Sequence, residues 1–149
     1  MSNYFLSIDQ GTTSTRAILY DDRINQVDFV QKELEQHYPS IGFVEHDASE
    51  IWDSVLFCVG ELMKRNSLSH KKIISIGITN QRETVVAWDK TSGEPVHRAL
   101  VWQDRRTSDY CTDLREQGIE TEIIQKTGLL LDPYFSATKI KWLKDSFGE

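Results

Sequence analysis

A chain of 149 residues with 39% hydrophobic and 27% charged side chains can close a substantial core and has the balance of an ordinary soluble globular protein. A formal net charge of −6, with the basic residues scattered, argues against non-specific nucleic-acid binding. No apolar run approaches membrane-spanning length, and Met1 to Asp9 lacks the basic lead and long apolar region of a secretory signal, so neither a span nor a leader is expected.

In chain order, residues 4–9 read as a short buried strand ending on Asp9. A Gly/Thr/Ser turn follows, then a second strand over 16–20. Turn chemistry at 21–25 leads to a third strand over 27–34, so the opening is a β-meander and not a βαβ unit. Pro39 and Gly42 mark a loop. Asp47 is an N-cap with Glu50 three positions on, close to a capping box. Ile51, Trp52, Val55, Leu56, Val59, Leu62 and Met63 then recur at helical spacing, with Lys64 and Arg65 in the last turn.

The isoleucines of 72–79 predict a strand buried on both faces. Residues 85–88 and 96–102 read as a hairpin around a Ser92-Gly93 turn. Helices are expected over 105–117, stopped by Gly118, and over 120–126, stopped by Gly128. After a turn at Asp132-Pro133-Tyr134, Ser136 is expected to cap a last helix carrying Ile140, Leu143 and Phe147. Its Lys139, Lys141 and Lys144 are expected on a solvated face. Trp52, Trp88 and Trp142 fall on periodic faces and read as core. The pattern of strands, helix, strand pair and helices is a mixed α/β architecture. Cys58 and Cys111, isolated and without metal spacing, read as reduced thiols of a cytoplasmic protein.

Two segments carry chemistry. Asn80-Gln81-Arg82-Glu83-Thr84 closes the isoleucine strand, which places a charge pair at its mouth. Arg82 brings a planar fork of donors and Glu83 two acceptor oxygens, a combination able to hold neighbouring hydroxyls of a small polyol. Asp9-Gln10-Gly11-Thr12-Thr13-Ser14-Thr15-Arg16 offers backbone N–H groups and hydroxyls to a phosphate. Arg16 adds positive charge there, and Asp9 is placed to hold Mg²⁺, directly or through water. It is not a Walker A loop, because Gly-Lys-Ser/Thr is missing and a strand follows. Taken alone, this turn is equally well a polar hairpin turn without a ligand. A polyol site together with a phosphate cradle points to a kinase.

Asp-Gln-Gly-Thr-Thr-Ser at 9–14, Gly-Ile-Thr-Asn-Gln-Arg-Glu-Thr at 77–84, Val-Trp-Gln at 101–103 with Arg105-Arg106-Thr107, and Thr-Gly-Leu at 127–129 before Asp-Pro-Tyr-Phe-Ser at 132–136 together resemble the FGGY carbohydrate kinases, in particular their glycerol-phosphorylating branch. The likeness runs from about residue 4 to residue 147. It implies the ribonuclease H-like α/β domain of the sugar kinase, Hsp70 and actin superfamily. That domain has a mixed five-stranded sheet and flanking helices. Residues 1–149 are expected to form it in part, incomplete at the C-terminus.

The resemblance implies that Thr12, Thr13, Ser14 and Arg16 face the phosphates of ATP, with Asp9 holding Mg²⁺ through water. It implies that Arg82, Glu83, Trp102 and Tyr134 line a glycerol pocket. It also implies that full-length relatives are dimers or tetramers. The general-base Asp and the adenosine-gripping second domain are expected beyond Glu149. Two other readings remain open: a kinase for another polyol or sugar, and a non-catalytic binding or oligomerising module.

Overall fold

In the computed structural model, which describes residues 3–148, the first strand, β1 (Tyr4–Gln10), buries Leu6 and Ile8 on one face and leaves Asp9 exposed on the other. Glu149, the boundary past which the general-base Asp is expected, lies outside the described residues. β2 (Ser14–Tyr20) returns antiparallel to β1. In the next turn Asp21 Oδ1 accepts the Arg23 and Asn25 N–H groups at 2.8 Å each. β3 (Gln26–Glu33) completes the meander. The chain then passes through a two-residue strand, β4 (Glu45–His46), and enters α1 (Ala48–Arg65).

Asp47 caps α1 as its sequence predicts, its side chain accepting the Ser49 N–H at 2.8 Å and the Glu50 N–H at 3.4 Å. After a 3₁₀ turn at His70–Lys72, β5 (Ile73–Thr79) adds to β1 in parallel. The sheet order among the described residues is β3-β2-β1-β5, four strands where the resemblance implies five.

Residues 3–35 and 47–81 make up one compact unit. Its core joins Leu6, Ile8, Ala17, Leu19 and Val30 of the sheet to Cys58 and Leu62 of α1, with Val55 and Val59 packed beside them. Burying a leucine of this kind contributes about 1.5–3 kcal/mol. Polar contacts fix the register of helix on sheet. Thr15 Oγ1 and Ser54 Oγ share a buried 2.6 Å hydrogen bond, and the Cys58 thiol donates to the Thr15 carbonyl at 3.4 Å. Burial pushes both the Cys58 and Cys111 thiols up, so both stay protonated and poorly reactive, as free cysteines.

Two expectations fail here for one reason: α1 packs over β2 and β3 and leaves β5 uncovered. Among the described residues β5 pairs with β1 and with no second strand. Its Ile74, Ile76 and Ile78 are therefore exposed instead of buried. Trp52 and Leu56 lie on the α1 flank that the sheet does not reach, and Trp52 is exposed, not core.

The second unit comprises residues 36–46 and 82–148. β4 pairs antiparallel with β6 (Ala99–Leu100), and Leu100 also bridges Val85. The expected hairpin of 85–88 with 96–102 is present as isolated bridges, Val85 to Leu100 and Trp88 to Pro95, around an Asp89-anchored turn. Trp88 stands at its exposed end and is not core. Three helices follow: α2 (Ser108–Glu116), α3 (Glu120–Thr127) and α4 (Ser136–Phe147). Gly118 and Gly128 end α2 and α3 with φ of 78° and 73°, a conformation open to glycine at no steric cost.

The organising contact of this unit is Arg106, whose side chain is 1% exposed. Its Nε and Nη2 atoms donate to Asp104 Oδ1 and Oδ2 at 2.9 Å each, and Nη2 also donates to Glu45 Oε1 at 2.6 Å. The guanidinium lies between the rings of Phe43, 4.1 Å away, and Trp142, 4.4 Å away. Asp104 Oδ2 further accepts the Val44 N–H at 2.7 Å. No helix among the described residues is long and apolar enough to cross a membrane.

Removing one partner of a buried, hydrogen-bonded ion pair destabilises by about 3–5 kcal/mol, and a core Leu→Ala by about 2–5 kcal/mol. Arg106→Ala and Leu62→Ala are expected to lower urea-unfolding stability by these amounts, whereas Trp52→Ala should fall within about 1 kcal/mol of the parent. Equal effects for Trp52→Ala and Leu62→Ala would show that the helix face is misassigned.

Candidate functional site

In the first unit the Gly/Thr/Ser segment is a tight bend between β1 and β2. The Gly11 N–H donates to the Ser14 carbonyl at 3.0 Å, and a Cβ on Gly11 would come within 3.1 Å of that same oxygen. The bend is held from two sides. Gln81 is buried, and its Nε2 donates to the Gly11 carbonyl at 3.0 Å, while the Leu34 N–H donates to the Thr13 carbonyl at 2.9 Å.

Strand register sets Thr79, Asp9, Arg16 and Gln31 side by side across the four strands, on the face away from α1. Arg16 donates through Nε and Nη2 to Gln31 Oε1 at 3.0 and 2.7 Å. Gln31 Nε2 in turn donates to Ser14 Oγ at 3.0 Å. The Ser14 hydroxyl therefore accepts from the protein and keeps its proton for an outside acceptor. Thr13 and Arg16 are exposed, and Thr12 is half-buried. Asp9 is exposed at the strand end and has no ion-pair partner among the described residues. A solvent-facing carboxylate beside a hydroxyl-lined bend fits a hard cation bound by oxygen, directly or through water.

In the second unit the 82–84 segment meets the turn before α4. Glu83 takes a left-handed backbone, φ 63°, uncommon for a non-glycine residue. Its Oε2 accepts the Ser136 N–H at 2.8 Å and the Ser136 hydroxyl at 2.6 Å. Both bonds fall on one oxygen, which leaves Oε1 for another donor. The Trp102 N–H donates to Thr84 Oγ1 at 3.3 Å, and the Trp102 and Tyr134 rings meet edge to face at 5.8 Å. Tyr134 also meets Phe135 edge to face at 5.0 Å, and its N–H donates to Asp132 Oδ1 at 2.8 Å.

Glu83, Trp102 and Tyr134 thus lie on three segments in mutual contact. Arg82 does not join them in an ion pair. It is exposed and makes none with Glu83 among the described residues, so the two charges do not satisfy each other.

Three participants escape the sequence reading. Ser136 is the first residue of α4, not its cap. Phe135 occupies the cap position, and the Ser136 hydroxyl serves Glu83 instead of the helix. Lys139 is not solvated but wholly buried, donating to the carbonyls of Pro133, Tyr134 and Phe135 at 2.7, 2.5 and 3.4 Å. A signal for it exists: Lys139 is four residues before the buried Leu143 and three after Ser136, hence on their face of the helix. Gln31 carries no such signal, because only the β2–β3 register brings it to Arg16 and Ser14.

Residues 4–148 match the FGGY family of carbohydrate kinases, N-terminal domain. The chain is 55% identical over 143 residues to a glycerol kinase of Rhizobium rhizogenes, covering 96% of this chain and 29% of that protein. It is also 55% identical over 145 residues to one of Staphylococcus epidermidis, covering 97% and 29%. Among solved structures it resembles Plasmodium falciparum glycerol kinase with ADP, at TM-score 0.89 and 38% identity, covering 98% of this chain and 29% of that one. It also resembles gluconate kinase from Lactobacillus acidophilus, at TM-score 0.90 and 26% identity, covering 100% and 30%. The chain spans about 29% of the length of the curated relatives it matches. With the match running through both units, the chain belongs to the FGGY family of carbohydrate kinases, as the N-terminal domain of that family.

Proposed function

We propose that the chain is the N-terminal part of an ATP-dependent glycerol kinase, which forms sn-glycerol 3-phosphate and ADP from glycerol and ATP. The observation that carries this reading is Glu83. A residue with a left-handed backbone has one carboxylate oxygen clamped by two Ser136 donors and the other left for a substrate hydroxyl, next to the Trp102–Tyr134 aromatic pair. Non-glycine strain of this kind persists where surrounding contacts over-determine it, and such sites cluster at ligand clamps. The glycerol kinases among the 55%-identical relatives support the same substrate.

In this reading Glu83 Oε1 accepts from one glycerol hydroxyl and the exposed Arg82 fork donates to another. Trp102 covers the carbon face, and Tyr134 adds a wall and a hydroxyl. The remaining terminal hydroxyl attacks the γ-phosphorus as the bond to the β,γ-bridging oxygen breaks. Its proton passes to a general-base Asp in the part of the protein beyond Glu149. Thr12, Thr13, Ser14 and Arg16 face the phosphates. The Ser14 hydroxyl, accepting from Gln31, donates its own proton to a phosphate oxygen, and Gln31 holds the Arg16 guanidinium in place. Mg²⁺, held by Asp9 through water, would neutralise charge on the phosphates. Protonated, buried cysteines fit a cytoplasmic enzyme.

A charge-assisted hydrogen bond contributes about 1.5–3 kcal/mol net. Glu83→Gln in the full-length kinase is therefore expected to lower kcat/KM for glycerol roughly 10- to 100-fold, with KM for ATP within about twofold of the parent. An unchanged kcat/KM would remove Glu83 from the pocket. Ser136→Ala should act in the same direction but more weakly, by about tenfold, because it frees the Glu83 carboxylate to rotate. A substrate panel should rank glycerol above pentuloses and gluconate. Residues 1–149 alone, without base or adenosine grip, are expected to give no glycerol phosphate above background in a coupled assay.

A further inference from the structure

We propose that Lys139 is a positioning residue for the polyol pocket: its ammonium, sealed under the first turn of α4, draws together the carbonyls of Pro133, Tyr134 and Phe135 and so sets the Tyr134 ring against Trp102. The inference rests on the reading of Glu83, Trp102 and Tyr134 as that pocket.

Lys139 is 0% exposed, an extreme position for a lysine. Its three donors meet three backbone carbonyls, at 2.7, 2.5 and 3.4 Å. No carboxylate among the described residues bonds it directly. The site is also a poor one for a cation, because the positive end of the α4 dipole adjoins it. A requirement for helix packing alone would be met by a methionine or leucine of similar length.

The bonded carbonyls belong to the residues on either side of Tyr134 and to Tyr134 itself. The next residue, Ser136, carries both donors to Glu83. One ammonium therefore braces the backbone from which the aromatic wall and the clamp of the carboxylate both project.

The geometry makes the brace sensitive to charge. A neutral amine has two N–H groups and a lone pair, so one of three carbonyls would face a lone pair. Desolvation lowers the Lys139 pKa to about 8, opposed by the Glu83 carboxylate on the 82–84 segment, Asp104 before α2, Asp132 in the bonded turn and Cys111 on α2. The ammonium is present below that value and lost as pH rises through it. Glycerol does not titrate in this range.

The test is steady-state kinetics of the full-length kinase from about pH 7 to 9.5. For the parent, KM for glycerol should rise roughly fivefold or more between about pH 7.5 and 9 while KM for ATP stays within about twofold. Lys139→Met should raise KM for glycerol about tenfold at about pH 7.5 and abolish the alkaline rise. Lys139→Arg, which keeps charge and donors, should recover part of the loss and stay flat to about pH 9.

A parent KM for glycerol that is flat across this range overturns the proposal and requires no variant to fold. So does a Lys139→Met enzyme within about twofold of the parent. If Glu83→Gln raises KM for glycerol while Lys139→Met does not, the pocket stands and the role of Lys139 falls. If Glu83→Gln also leaves it unchanged, the pocket reading itself has failed and the proposal falls with it.

Discussion

The second unit depends on one buried guanidinium. The Arg106 side chain donates to the carboxylates of Asp104 and Glu45 and is enclosed by Phe43 and Trp142, so it ties together three stretches far apart in sequence. It reinforces contacts that already run between them: the Val101 and Arg105 N–H groups donate to the Val44 and Gly42 carbonyls, and the Thr107 and Thr138 hydroxyls share a buried 2.8 Å bond. The arrangement is demanding in energy, since each charge is out of water and is offset only while every partner is in place. A network that is stable only in one geometry holds α4 in one geometry, and α4 presents Ser136 and Lys139.

The first unit uses a different device. Its sheet and helix are joined by ordinary apolar packing, and the bend is held by amides: Gln81 on the Gly11 carbonyl, Gln31 on Ser14 and Arg16. Neutral amides can restrain a loop without cancelling the charges of Asp9 and Arg16. Those charges stay exposed at the end of the sheet.

Much of this was legible in the sequence. Apolar runs set off by turn residues locate β1 to β3, Asp47 announces α1, and the two glycines mark the ends of α2 and α3. The bend and the Glu83, Trp102 and Tyr134 cluster lie on the segments whose residue types suggested them. What escaped was decided by neighbours and not by local pattern. The isoleucines of β5 look doubly buried because their composition is that of a buried strand, yet burial depends on what covers an edge, which composition does not record. Ser136 has the chemistry of a cap and was diverted by a carboxylate 53 positions away. Lys139 shares its residue type with Lys141 and Lys144, although the helical period separates it from both. The pairing of β4 with β6 joins stretches roughly fifty positions apart and offers no periodic signature in strands so short.

The left-handed backbone at Glu83 has a corollary. Glycine, and to a lesser degree asparagine, occupies that region at lower energy than glutamate does. Glycine would relieve the backbone but leave the Ser136 N–H and hydroxyl without their acceptor. Position 83 is therefore held between two opposed costs, the strain of any side chain there and the loss of the contact that seats the first turn of α4.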